Sequence, residues 1–383
     1  MNKKIQILIS YILVAVLASA ATLGLETWLE RDEISKLEQL EDLIQTRFVG
    51  DADIQQLRDG AAEGMIESLD DRWSYYMSAV EYQSYLERSN NAYVGIGVTI
   101  TVTEGVDGYT ITEVNENGSA AEAGLLVGDV IIGVEGTSTI GLDATKARDM
   151  IRGKEGTQVE ITVLRDGQEL TYSVTRKEVK TPVAEYKMLE DGIGLVTIAN
   201  FDSRCAEETV AAIEALLDQG AQKLIFDVRA NPGGYVKQLV KVLDYLLPEG
   251  VLFRSVDYAG KEDVDMSDAD CLEIPMAVLV NGDTYSSAEF FAATLAEYDA
   301  AVVVGEKTSG KGHYQYTYQL NDGSAVSLSV GKYYTPNGIS LEGVGITPDV
   351  EVPVTEEESV LIYYGLLEPA EDPQIQAAIE ELK

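Results

Sequence analysis

Ser286 and Lys311 lie 25 positions apart, in the stretches NGDTYSSAEFFAA (281–293) and EKTSGKGHYQ (306–315). A third stretch, FDVRANPGG (226–234), stands upstream of both. A serine hydroxyl, a lysine amine and a glycine-rich turn can together attack a carbonyl, move its proton and hold the oxyanion. Ser286 follows the apolar strand-like AVLVNG and a short polar turn, and it opens a helix-like run. A serine in that place can be a plain helix cap. The same placement also exposes a nucleophile on a turn. Ser287 competes with it for either role.

A lysine must be neutral to act as a base. Its free pKa of about 10.4 leaves only about one in a few thousand neutral at pH 7. Burial can lower that value by the required units. Gly310 and Gly312 flank Lys311 and let the backbone pack closely. Gln315, four residues on, could hold the amine through a neutral hydrogen bond. Asn231-Pro232-Gly233-Gly234 follows the strand-like KLIFDVR and could point amides at an oxyanion. His313 offers the more common serine–histidine solution; it reads as a residue on the rim of the site.

Composition removes competing chemistry. One histidine and two cysteines in 383 residues cannot build a multi-histidine or four-thiolate metal site, so no metal and no cofactor is expected. Cys205 and Cys271 read as small apolar residues, with a disulfide between them left open. The formal net charge is −37, from 65 acidic and 28 basic residues. Such a surface repels phosphate backbones, so no nucleic-acid partner is expected.

The chain divides into five stretches. Residues 1–25 hold an uncharged apolar run, 5–25, behind Lys3 and Lys4. Its length suits a membrane-spanning helix that leaves the rest of the chain outside the cytoplasm. Ala18-Ser19-Ala20 keeps a cleaved signal peptide open as the second reading, which would give a secreted protein. Residues 26–90 read as helical, with stripes at Leu37, Leu40, Ile44 and Phe48 and at Leu57, Ala61, Met65 and Leu69. A small bundle with its own core is the expectation; a partner or dimer surface is the alternative.

Residues 91–178 carry β-rich runs between Gly-containing turns, and GSAAEAGLLVGDVIIGVEG (118–136) resembles a PDZ domain. The segment Tyr93-Val94-Gly95-Ile96-Gly97-Val98 matches the carboxylate-binding loop of such domains. Its glycines let amides converge on a terminal carboxylate, and the next strand edge can pair with a peptide. DATKARDMIRG (143–153) would be the second wall of the groove. Residues 179–355 alternate apolar strands with helical runs, an α/β pattern, and 356–383 form an acidic helical tail.

FDVRANPGG, NGDTYSSAE, GEKTSGKGHYQ and GVGITPD (343–349), in this order behind a PDZ segment, resemble the carboxy-terminal processing peptidases, also called tail-specific proteases. The likeness also takes in LDDRWSYY (69–76). It implies a ClpP/crotonase-like α/β protease core with a PDZ β-domain and an N-terminal helical segment. It also implies a bacterial envelope setting, protein or peptide substrates, and often dimers. Carried over by motif, Ser286, Lys311 and Gln315 are the implied catalytic set. The amides of Gly233 or Gly234 and of Ser287 are the implied oxyanion donors. The family's usual Ser-Ala-Ser-Glu reads Ser286-Ser287-Ala288-Glu289 here, so its second serine is replaced by Ala288. The main rival is a PDZ scaffold with an inactive core; an acyl-CoA enzyme on a related fold is the other.

Overall fold

The computed structural model describes residues 35–103, 105–115 and 117–383. The chain opens with helices α1 (Lys36–Arg47) and α2 (Ile54–Glu67). Ser35 and Asp53 cap them through their side chains. Neither helix contains a buried residue. Among the described residues the expected bundle with its own core is therefore not formed. The stripes Leu37, Leu40, Leu57 and Met65 instead face a hollow of about 450 Å³ that Leu320, Val326 and Leu328 complete. Among the described residues no helix is long and apolar enough to cross a membrane. The span expected at 5–25 lies outside them.

After β1 (Tyr75–Met77) and α3 (Ala79–Ser89), β2 (Ala92–Gly95) leads into a β-domain. Its strands are β3 (Val98–Thr101), β4 (Tyr109–Val114), β5 (Val130–Val134), β6 (Thr137–Ser138), β7 (Gln158–Arg165) and β8 (Gln168–Thr175). The helices α4 (Ser119–Ala123) and α5 (Ala144–Ile151) close it. The sheet runs β3-β4-β5-β7-β8, with β6 on β5. Val159, Ile161 and Val163 alternate inward along β7 and meet Ile111, Ile131 and Ala147 in one core. The strand β9 (Lys177–Lys180) returns to pair with β2, forming a ribbon at the root of this domain.

The remaining chain builds an α/β core. Its strands are β10 (Ala184–Met188), β11 (Ile193–Ile198), β12 (Lys223–Asp227), β13 (Gly250–Asp257), β14 (Glu262–Ser267), β15 (Met276–Val280), β16 (Ala301–Gly305), β17 (His313–Gln319), β18 (Ala325–Tyr334) and β19 (Val350–Glu351). Its helices are α6 (Cys205–Asp218), α7 (Val236–Leu246), α8 (Ser287–Glu297), α9 (Glu356–Tyr363) and α10 (Pro373–Glu381). The central sheet runs β10-β11-β12-β15-β16-β19, parallel except for β10. Every residue of β15 is buried, because helices cover both faces. Leu216, Leu243 and Phe291 of α6, α7 and α8 pack in one cluster, while Ile375 and Ala378 of α10 pack with Ile225 and Leu279 in another. A second, antiparallel sheet β1-β18-β13-β14, with β17 on β18, stands beside it. Cys205 is buried and Cys271 half-buried, and both are free thiols. Burial pushes the Cys205 thiol up to about 12, which suits an inert packing residue.

Candidate active site

Strands β12, β15 and β16 are neighbours in the parallel sheet, and the chain leaves each at its carboxyl end. The Asn231–Gly234 turn follows β12, Ser286 follows β15, and Lys311 follows β16. Residues far apart in sequence thus gather at one edge, the usual location of sites on parallel sheets. Ser286, Lys311, Gln315, Gly233 and Gly234 line a single cleft of about 480 Å³.

Ser286 caps α8 with φ 59° and ψ −131°. A non-glycine residue held there stores about 1–3 kcal/mol of backbone strain, which the surroundings must impose. They do so through Glu289, one turn into the helix and fully buried. Its carboxylate accepts the Ser286 amide at 3.0 Å, the Gly310 amide at 2.8 Å, the Lys311 amide at 2.8 Å and the Thr308 hydroxyl at 2.5 Å. Burial pushes the Glu289 carboxyl up, and these four donors oppose that rise.

Lys311 reaches over two aromatic rings, with Nζ 5.1 Å from the Trp73 centroid and 5.6 Å from that of Tyr285. Among the described residues its amine has no hydrogen-bond or ion-pair partner. Burial pulls its pKa down to about 8, against the opposing pull of the Glu342, Glu289 and Asp71 carboxylates. The rings exclude water on one side, and Trp73 is itself fixed by its Nε1–H donating to Glu342 at 2.9 Å.

The glycine turn presses against Ser286. A Cβ on Gly233 would sit 2.8 Å from Ser286 Cβ and 2.9 Å from the Ser287 amide, so only glycine fits there. The Gly233 amide already donates to Asn231 Oδ1 at 2.8 Å. No acceptor among the described residues takes the amides of Gly234 and Ser287, which leaves these two available to an oxyanion. The Ser287 hydroxyl donates to the Gly234 carbonyl at 2.9 Å, tying the turn to the helix start.

These elements match known families. A model of peptidase family S41 covers residues 192–352, one of the PDZ domain covers 110–165, and one of the activating protease CtpB N-terminal domain covers 17–80. The carboxy-terminal processing protease CtpA of Bacillus subtilis (strain 168) is 33% identical over 365 residues, spanning 92% of this chain and 78% of that protein. The chain belongs to peptidase family S41, as a serine-type carboxy-terminal processing protease. A CtpA-like serine protease of Staphylococcus saprophyticus is 29% identical over 93% of this chain and 74% of its own length. A solved structure assigned to the S41 proteases, from Bacteroides fragilis NCTC 9343, shares the fold with a TM-score of 0.53. Identity to it is 18%, over 83% of this chain and 89% of that one.

Within this S41 peptidase the hydrogen bond expected from Gln315 to the Lys311 amine is not formed. The Gln315 amide donates to the His313 carbonyl and to Ser329 Oγ, both at 3.1 Å, rather than to Lys311. His313 does not line the cleft; its Nδ1 lies 3.1 Å from a Glu342 carboxylate oxygen. In the PDZ domain, Tyr93, Gly95, Ile96, Gly97 and Val98 line a groove of about 330 Å³ opposite α5, with Val94 in the adjoining strand β2. Gly97 holds φ 78°, and no acceptor among the described residues takes the amides of Ile96 and Gly97. Sequence reasoning assigned no role to Trp73, Tyr285, Glu289 or Glu342. The only signal was that Trp73, Tyr285 and Glu289 fall inside family-like stretches.

Proposed function

We propose that this protease is an endopeptidase acting outside the cytoplasm through a Ser286–Lys311 dyad. The observation that carries the dyad is that both side chains open into one cleft, with the Lys311 amine free of any carboxylate partner among the described residues. Ser286 Oγ attacks the peptide carbonyl and neutral Lys311 takes its proton. The tetrahedral oxyanion is held by the amides of Gly234 and Ser287. Lys311 then protonates the leaving amine, and water attacks the acyl-enzyme by the same route in reverse. With a pKa of about 8, on the order of a tenth of Lys311 is neutral at pH 7.

The PDZ groove would deliver substrates by their C-termini or by exposed segments. The free Ile96 and Gly97 amides suit a carboxylate, and the edge of β3 suits an added strand. Lys3 and Lys4 ahead of the apolar run 5–25 support a single-pass anchor with the protease outside. The exposed apolar face of α1 and α2 supports a homodimer, for which the mass of the full chain in detergent is the check.

The test is cleavage of an unfolded protein by the full chain in detergent, beside Ser286→Ala, Lys311→Ala and His313→Ala. Loss of activity in the first two and retention in the third is the expected pattern. Equal cleavage by Ser286→Ala or Lys311→Ala would remove the dyad. Total loss in His313→Ala would mean that the base is misassigned.

A further inference from the structure

The PDZ groove and the catalytic cleft are joined by a third hollow, of about 370 Å³. It shares Tyr93, Arg148 and Arg152 with the groove, and Arg88 with the cleft. A peptide whose end sits in the groove and whose scissile bond sits at Ser286 would run through this hollow, past three guanidinium groups.

The charge of this path is opposite to that of the molecule. The chain carries 65 acidic residues against 28 basic ones, yet among the described residues no carboxylate lines the cleft. Its cations are Arg88 and Lys311. The hollow contains one carboxylate, Glu87, which Arg152 already holds at 3.3 Å. Arg152 also lies over the Tyr93 ring, 4.3 Å from its centroid, so it is fixed in the path. The Arg88 side chain is exposed and has no hydrogen-bond or ion-pair partner among the described residues. Arg148 pairs only with its sequence neighbour Asp149, on the open surface. Neither Arg88 nor Arg148 has a structural task, and both face the path.

We propose that Arg88, Arg148 and Arg152 read the substrate segment between the PDZ-bound end and the scissile bond, and select one rich in Asp and Glu. This rests on the protease reading above for the position of the scissile bond. A guanidinium offers a planar fork that matches a carboxylate, and a positive path on a negative body concentrates anionic segments there. Such contacts hold a segment away from the scissile bond, so they are equal in ground and transition states. They therefore change KM and leave kcat in place.

The experiment uses three peptides with one apolar C-terminal tail and one cleavage cassette, joined by a segment of Asp and Glu, of Asn and Gln, or of Lys. Binding to the full-length Ser286→Ala chain is read by fluorescence anisotropy, and cleavage by the unmodified chain is read alongside. The acidic peptide is expected to bind about tenfold more tightly than the neutral one, with the basic peptide weakest. Raising the salt to about 0.5 M should compress the three affinities, since exposed charges are screened. Arg88→Gln with Arg148→Gln should bring the acidic and neutral peptides to within about twofold of each other. Equal binding of the three peptides at low salt, or an unchanged preference in the double variant, overturns the proposal. Ranked binding without cleavage by the unmodified chain would leave the charge selection standing and remove the endopeptidase reading instead.

Discussion

The buried carboxylate of Glu289 accepts the backbone amide of Lys311 at 2.8 Å while also accepting that of Ser286 at 3.0 Å. The turn that carries Ser286 and the loop that carries Lys311 are therefore registered through their backbones by one side chain. Their own side chains remain free for chemistry.

Removing that carboxylate should cost both stability and rate. Glu289→Ala leaves the buried Ser286 and Gly310 amides, the half-buried Lys311 amide and the Thr308 hydroxyl without an acceptor, a loss on the order of 3 kcal/mol or more. Thermal unfolding should fall by several degrees, and kcat should drop further than KM changes. Glu289→Gln keeps acceptor capacity on one oxygen and should recover part of both. An alanine variant with unchanged kcat would show that the register of the two loops is set elsewhere.

The pH dependence follows from Lys311. The base must be neutral, and its pKa is pulled down to about 8. Activity should rise with pH through about 8 and level off above it. The sign is that of a depressed amine: between about pH 8 and the free value near 10.4 the unfolded chain binds more protons, so stability also rises with pH in that window. Lys311→Arg stays protonated throughout and should be inactive at every pH. A kcat/KM profile that is flat from pH 6 to 9 would contradict this assignment.

Trp73 sets how dry the amine is. Its ring would favour the charged amine by cation–π attraction, yet the burial it provides is the larger influence on Lys311. Trp73→Ala should admit water and move the rising limb of the pH–rate profile upward by on the order of one unit. Trp73→Phe should move it less. A downward shift would mean that the ring's cation–π attraction outweighs the burial it provides.

The C-terminal helix is held to the core by Arg229. Its guanidinium, almost fully buried, lies 2.6 Å from Asp227 and 2.8 Å from Asp372, and it donates to Gln374 at 2.9 Å. Arg229→Ala leaves buried carboxylates without a counter-charge, a cost of about 3–5 kcal/mol. Chemical denaturation midpoints should fall accordingly. Because Asp227 ends the strand that carries the glycine turn, activity should fall even below the melting range.

Sequence alone determined the parts whose signals are local. Ser286, Lys311 and the Asn231–Gly234 turn each follow an apolar strand, and such a strand places the next residues at a sheet edge whatever the rest of the chain does. The PDZ loop at Tyr93–Val98 was legible because glycines in sequence mark amides that can converge. The rest depended on distance along the chain. Trp73 meets Glu342 across 269 positions, and no pattern in either stretch names the other. Gln315 stands four residues from Lys311, yet the register of β17 against β18 sends its amide to Ser329. The stripes of α1 and α2 showed which faces are apolar. Only packing decided that those faces would line a hollow beside the antiparallel sheet rather than form a bundle with its own core. Local patterns fix what a segment can present, and the contact partners come from the long-range closure of the sheets. That is why Ser286 and Lys311 stood out as candidates in one dimension, through the family resemblance, and the groups packed around them only in three.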